Sequence, residues 1–258
     1  MSLAGRRLLV PVTAERTAFA DDLAAEGAIV TAVAFIAIDG PKDAEALEEA
    51  TLAWLAGDYD WMAVTSRNAV LAMDRIARSR GRSLGEPQPG ARIATVGEAT
   101  RGVCASVGLA IDLVPSERHD ARGIVAEMPE GPGRVLAPLG NLASPVLQRG
   151  LERKGWTVTT VEAYRTVDGP GPDQATVAAV AAGGIDAVLL TSGSVAERFA
   201  AACPRVAPGT RIIAIGRTTQ AGARAAGLTV DAVAETPTYA GIRAALDAAL
   251  ATADPSDA

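Results

Sequence analysis

The sequence predicts an α/β protein of two similar lobes, each a parallel sheet flanked by helices. Three observations carry that prediction. Short β-branched runs alternate with amphipathic stretches along the whole chain. The 258 residues exceed one ordinary lobe of about 100–150 residues. Several segments also occur twice at matched places.

Leu8–Val12 reads as a buried strand, and the helix Glu15–Glu26 follows, stopped by Gly27. Ala28–Ile36 is the next strand, which completes a β-α-β unit and implies a parallel pair. The same grammar gives helix Asp43–Leu55, strand Trp61–Thr65, helix Asn68–Arg80 and a Gly- and Pro-rich loop, Gly81–Gly90. Strand Arg92–Val96, helix Glu98–Val107, strand Ile111–Val114 and helix Arg122–Met128 come next. After Pro129–Gly133 the pattern restarts with strand Arg134–Ala137, helix Pro145–Lys154 and strand Thr157–Tyr164. Beyond the break at Gly169–Pro172 lie helix Asp173–Ala182, strand Ala187–Thr191 and helix Val195–Ala202. Strand Arg211–Ile215, helix Thr218–Ala226, strand Thr229–Val233 and helix Tyr239–Ala251 precede a polar tail, Thr252–Ala258.

Composition narrows the function. Apolar residues are 49% of the chain but aromatics only 3%, so the cores are built of Ala, Val, Leu and Ile, as helices on parallel strands require. The net charge of −6 gives no basic footprint for nucleic acid, so an anionic ligand must be attracted by local groups. Cys104 and Cys203 are not spaced as a Cys-x-x-Cys pair and His119 is the only histidine, which argues against zinc and fits a reducing cytoplasm. The apolar stretch in Met1–Val12 is too short for a signal peptide, and no run approaches a membrane span. Gly-x-Gly-x-x-Gly after the first strand, a P-loop lysine and Gly-x-Ser-x-Gly are all absent, and a hydrolase reading lacks a base. His119 reads as solvated surface within Ser116–Asp120.

The repeat points to a site. Asp60-Trp-Met-Ala-Val-Thr-Ser66 matches Asp186-Ala-Val-Leu-Leu-Thr-Ser192, and Ile93-Ala-Thr-Val-Gly97-Glu-Ala-Thr100 matches Ile212-Ile-Ala-Ile-Gly216-Arg-Thr-Thr219. Arg7–Pro11 likewise matches Arg134–Pro138. Hydroxyls at a strand end can simply cap the next helix. They can equally line an anion site with the free N–H groups there, at the strand edge where α/β sheets bind ligands. Two such edges would form a cleft for a small polyanion. Tyr164, at a strand end before the Gly-Pro break, is either an edge tyrosine or a phenol facing that cleft.

These residues resemble uroporphyrinogen-III synthases over Leu8 to about Leu250. The likeness rests on Val64-Thr-Ser-Arg-Asn-Ala-Val70, Val96-Gly-Glu-Ala-Thr100, Pro138-Leu-Gly-Asn141, Val161-Glu-Ala-Tyr-Arg-Thr166, Leu190-Thr-Ser192 and Ala214-Ile-Gly-Arg-Thr-Thr219, in that order. The chain departs from the family at Gly193 and Arg217, where proline is frequent.

The resemblance implies one lobe from residues 1–37 plus 167–258, another from 41–163, and hinge strands at 38–40 and 164–166. It implies a hydro-lyase, monomeric and cytoplasmic, that cyclises hydroxymethylbilane to uroporphyrinogen III with loss of water and inversion of ring D, using no cofactor or metal. Tyr164 would assist hydroxide departure or hold the reacting end. Thr218, Thr219, Ser66, Thr100, Gly140, Asn141 and Ser192 would bind substrate, and Arg67, Arg165 and Arg217 either add positive charge or stand as solvated surface. Transient contact with the preceding pathway deaminase fits this role, with no nucleic acid or membrane as partner. The alternative is a non-catalytic, two-lobed organic-anion-binding or regulatory protein.

Overall fold

A computed structural model describes residues 2–13, 17–86 and 89–251. Glu15 and Arg16 of the first predicted helix, part of the predicted loop Gly81–Gly90, and the tail Thr252–Ala258 lie outside these.

The chain divides into two compact units, Met1–Ala37 with Val167–Ala258 and Ile38–Thr166. The elements run β1 (Arg7–Pro11), α1 (Ala18–Ala25), β2 (Ile29–Val33), β3 (Ile36–Asp39), α2 (Ala44–Leu55), β4 (Trp61–Val64) and α3 (Arg67–Ser79). They continue with β5 (Arg92–Thr95), α4 (Glu98–Ser106), α5 (Ala121–Glu127), β6 (Gly133–Gly140), α6 (Val146–Arg153) and β7 (Trp156–Asp168). The rest are α7 (Gln174–Ala182), β8 (Ala187–Leu190), α8 (Gly193–Ala202), β9 (Arg211–Ala214), α9 (Arg217–Ala225), β10 (Ala232–Val233) and α10 (Tyr239–Ala251). None of these helices is long and apolar enough to cross a membrane.

Each unit holds a five-stranded sheet, ordered β10-β9-β8-β1-β2 in the first and β3-β7-β6-β4-β5 in the second. The pairings β1–β2, β1–β8, β8–β9 and β9–β10 are parallel, as are β4–β5, β4–β6 and β6–β7. Residues of the inner strands β1, β8, β9 and β4 alternate between two helix layers, so both faces of those strands are buried. Leu8, Val10 and Leu189 pack against Leu23 of α1 and Leu246 of α10. Leu9, Val188 and Leu190 pack against Val180 of α7 and Phe199 of α8. In the second unit Met62 and Val64 meet Trp54, Met73 and Cys104, while Trp61 and Ala63 meet Ile124 and Leu151.

Two predicted strands are corrected. Ala28–Ile36 is not one strand. β2 ends at Val33 and β3 begins at Ile36 in the other sheet. Between them Phe35 turns inward against Phe199, with ring centroids 5.9 Å apart. The carbonyls of Ala34 and Phe35 accept from Gly171 and Gly169. A Cβ at Gly169 would lie 2.1 Å from the Ala34 oxygen, so only glycine permits this junction. Ile111–Val114 is also not a strand: Leu113 makes a single bridge to Ala94. The Asp112 carboxylate takes the Ile93 N–H at 2.8 Å, and beyond it only Leu113 reaches β5, accepting the Thr95 N–H. The Asp231 carboxylate takes the Ile212 N–H at 2.7 Å, and β10 is two residues of the predicted Thr229–Val233. Conversely, β6 continues to Gly140 and β7 to Asp168. Pro138 is tolerated in β6 because the pairing with β4 extends only to Leu136.

The duplicated aspartates explain the shared register. Asp60 accepts the Arg134 N–H at 2.7 Å, and Asp186 accepts the Arg7 N–H at 2.7 Å. In each case the same aspartate continues the backbone ladder, through Asp60 N–H to the Arg134 carbonyl and Asp186 N–H to the Arg7 carbonyl. Burial pushes the Asp186 carboxyl up, but hydrogen bonds from the Arg7 side chain and N–H outweigh it and hold the group below its ordinary value.

A carboxylate depressed in the folded state stabilises above its unfolded pKa and loses that contribution as pH falls through the folded value. The Arg7 side chain is well exposed, so the ion pair itself adds little. The bond to the partly buried N–H carries the effect. Asp186→Ala is therefore expected to cost about 2 kcal/mol at neutral pH. In urea unfolding the deficit should narrow as the pH falls below the ordinary carboxylate range. A deficit that is absent at neutral pH, or that grows on acidification, would contradict this role.

Candidate functional site

Because β1, β2, β8, β9 and β10 run parallel, as do β4, β5, β6 and β7, each of these sets ends at one edge of its sheet, and a helix starts from most of those ends. Ser66 follows β4 and caps α3, accepting the Asn68 N–H at 3.2 Å. Ser192 follows β8 and caps α8, accepting the Val195 N–H at 3.2 Å and bonding Ser194 at 3.0 Å. These serines serve the protein as caps while remaining half-buried at the edge.

The two glycine starts behave differently. Gly97 and Gly216 precede α4 and α9 with φ of 175° and 174°, extended values any residue adopts, and no side chain caps either helix. A Cβ on Gly216 would meet nothing within 4 Å, and one on Gly97 would touch only His119, at 3.6 Å or more. Neither backbone nor packing therefore demands glycine here. What it leaves is bare N–H groups and open room above them. Thr100 and Thr219 occupy the same position in the two helices, both 6% exposed and neither engaged through its hydroxyl among the described residues. Thr218 is exposed.

Beside Thr218 and Thr219 lies an open depression of about 820 Å³, lined also by Gly216, Arg217, Val233 and Glu235. That volume is within the usual ligand-pocket range of about 300–1,000 Å³. The sequence analysis missed the contribution of Val233–Pro237. Its only signal was that a strand ends there.

Gly140, Asn141 and Tyr164 form one cluster. A register shift after Leu139 brings Gly140 opposite Tyr164. A Cβ on Gly140 would lie 2.6 Å from the Tyr164 Cζ and 2.7 Å from its hydroxyl, so the missing side chain is the seat of the phenol ring. Asn141 fixes the same stretch of β7: its Oδ1 accepts the Thr166 N–H at 2.8 Å, its Nδ2 donates to the Thr166 carbonyl at 3.2 Å, and its backbone N–H donates to the Tyr164 carbonyl. One Nδ2 hydrogen remains for a ligand. A smaller depression of about 250 Å³ runs from Gly140 and Asn141 to Ser144 and Glu162.

The structure thus gathers Gly140, Asn141 and Tyr164 into contact. It sets Ser66 and Thr100 on neighbouring strand ends of the same sheet, and Ser192 with Thr218 and Thr219 on neighbouring ends of the other. Arg165 is paired with Glu162 at 3.4 Å. His119 is exposed, as expected, but lies against the start of α4, a juxtaposition no local pattern signals. Among the described residues no cluster of three His, Cys, Asp or Glu could hold a metal ion. Cys104 and Cys203 are buried, and burial raises both thiols, that of Cys104 to about 11.

Comparison with known proteins gives a consistent picture. Residues 17–244 match the family described as Uroporphyrinogen-III synthase HemD. A protein of Methanothermobacter thermautotrophicus named "Putative uroporphyrinogen-III synthase" is 31% identical over 150 residues, 56% of this chain. The match spans 57% of that relative's length. A mutant uroporphyrinogen III synthase from Thermus thermophilus has a similar fold, with a TM-score of 0.70 at 18% identity over 96% of this chain and 100% of that one. The enzyme from Helicobacter pylori gives a TM-score of 0.62 at 14% identity over 95% and 99%.

The seating of Tyr164 is testable. Gly140→Ala is expected to displace the ring or to cost about 1–3 kcal/mol by overpacking. With fluorotyrosine incorporated, the chain gives three signals, from Tyr59, Tyr164 and Tyr239. The Tyr164 signal alone should shift. Three unmoved signals and unchanged stability would show that Gly140 does not seat the ring.

Proposed function

Because the chain belongs to the uroporphyrinogen-III synthase family, we propose that it cyclises hydroxymethylbilane to uroporphyrinogen III, a hydro-lyase step of tetrapyrrole biosynthesis leading to haem, sirohaem and cobalamin. The observation that carries the reading beyond membership is the pair of hydroxyl-and-amide edges. They suit a substrate with eight carboxylates and offer no strong acid–base pair.

The chemistry requires little more. The hydroxyl leaves ring A's carbon as water once protonated, and the electron-rich pyrrole supplies the electrons, giving an azafulvene. Ring D attacks through its substituted carbon to form a spiro intermediate, which fragments and recloses with ring D inverted. The protein's task is to hold the reacting ends and select one mode of closure. Tyr164, seated on Gly140, donates the proton to the departing hydroxide. Asn141 holds β7 in place and has one N–H to offer. Thr218 and Thr219, with the free N–H groups of α9, take substrate carboxylates. Ser66, Thr100 and Ser192 do the same at their strand ends. The protein works as a monomer in the cytoplasm, with transient contact to the deaminase that supplies its unstable substrate.

The test is isomer analysis with hydroxymethylbilane generated in situ from porphobilinogen by a deaminase. Isomer III should predominate after oxidation and chromatography. Isomer I alone, from folded protein, is the uncatalysed product and would sink the activity in favour of an anion-binding role. Tyr164→Phe should lower turnover on the order of 10²-fold while product affinity holds. Thr219→Ala should instead weaken binding, by about fivefold for one neutral hydrogen bond. Unchanged turnover, or unchanged affinity, would remove the respective role.

A further inference from the structure

A polycarboxylate needs a cation at the binding edge, and most arginines there are already spent. Arg165 pairs with Glu162 at 3.4 Å, Arg101 with Glu98 at 3.1 Å and Arg198 with Asp168 at 2.6 Å. Arg217 stands exposed in water. Arg67 differs from all of these. It opens α3 directly after the cap Ser66, three residues past the end of β4, and is half-buried. Its Nε is out of contact with water and without a hydrogen-bond partner, and its guanidinium pairs with no carboxylate among the described residues. Packing of the aliphatic stem accounts for the half-burial. It does not account for a guanidinium held at a strand end with a buried Nε that lacks an acceptor and no carboxylate against its charge among the described residues.

The floor of this edge is polar as well. Thr95 ends β5 in register with Val64, is wholly buried, and its hydroxyl also lacks a partner. Val64 packs against Met73 of α3, so by strand alternation Thr95 lies on the sheet face that α3 covers.

We propose that Arg67 receives one carboxylate of the tetrapyrrole through its two terminal nitrogens. A planar guanidinium presents that pair of donors side by side. Arg67 is a binding residue with no part in the proton transfer. The assignment rests on the activity proposed above.

Arg67→Gln and Arg67→Lys would be compared with the wild type for KM, for kcat and for equilibrium binding of uroporphyrin III. Arg67→Gln should raise both KM and Kd about tenfold, the scale of one charge-assisted hydrogen bond. Its kcat should stay within about twofold of the wild type. Arg67→Lys should recover part of the affinity, and added salt should weaken the wild type more than Arg67→Gln. KM and Kd within about twofold of the wild type in folded Arg67→Gln would overturn the assignment. Should Arg67→Gln not fold, Arg67→Met preserves the buried stem and carries the same criteria. A wild type that binds uroporphyrin III through Arg67 yet yields only isomer I would retire the activity and leave the carboxylate site standing.

Discussion

Parallel strands have no hairpin to set their register, so something else must. Here it is a carboxylate at each sheet's strand-start edge. Asp186 grips the N–H of Arg7, and Asp60 grips that of Arg134, while both also sit in the ladder through their own backbones. A one-residue slip would turn Leu9 and Val188 toward the wrong helix layer and strand the carboxylate. The carbonyls of the same two aspartates accept the N–H groups of Arg211 and Arg92, so β8 and β9, and β4 and β5, start and finish in step. That places Ser192 beside the α9 start and Ser66 beside the α4 start. The binding edge is thus a consequence of a constraint at the opposite end of the sheet.

The same economy runs through the chemistry. With a net charge of −6, the chain cannot draw in a polyanion by its overall field. It relies on local donors: helix N–H groups bared by Gly97 and Gly216, hydroxyls at matched positions, and a guanidinium without an internal partner. Fixed donors of this kind would hold the proposed linear substrate in one conformation, which is what a closure reaction with a competing product demands. Tyr164 is the exception, a single phenol held by the absence of a side chain at Gly140 and by the Asn141 clamp.

Much of this was legible in the sequence. Alternating apolar runs located the helices and most strands, because burial on both faces leaves a plain signature. The Thr-Ser and Gly-x-x-Thr pairs revealed both edges, since duplication copies local chemistry. The failures have physical causes. Ala34-Phe35 is as apolar as the strands around it, so the passage from one sheet to the other is invisible without Gly169 packed against it. Ile111–Val114 has strand composition, yet it meets β5 in a single bridge, Leu113 to Ala94. The seat under Tyr164 depends on a register shift between two strands, and the unpaired Arg67 on the absence of a partner. Neither is written in any one segment.

The two glycine-started helices are proposed to receive the ligand's carboxylates through their bare amides. Amide hydrogen exchange of residues 97–100 and 216–219, with and without uroporphyrin III, tests it most directly. Slowed exchange concentrated at both segments is the predicted result. Slowed exchange elsewhere with both segments unchanged would contradict the account and leave the matched edges as helix caps alone.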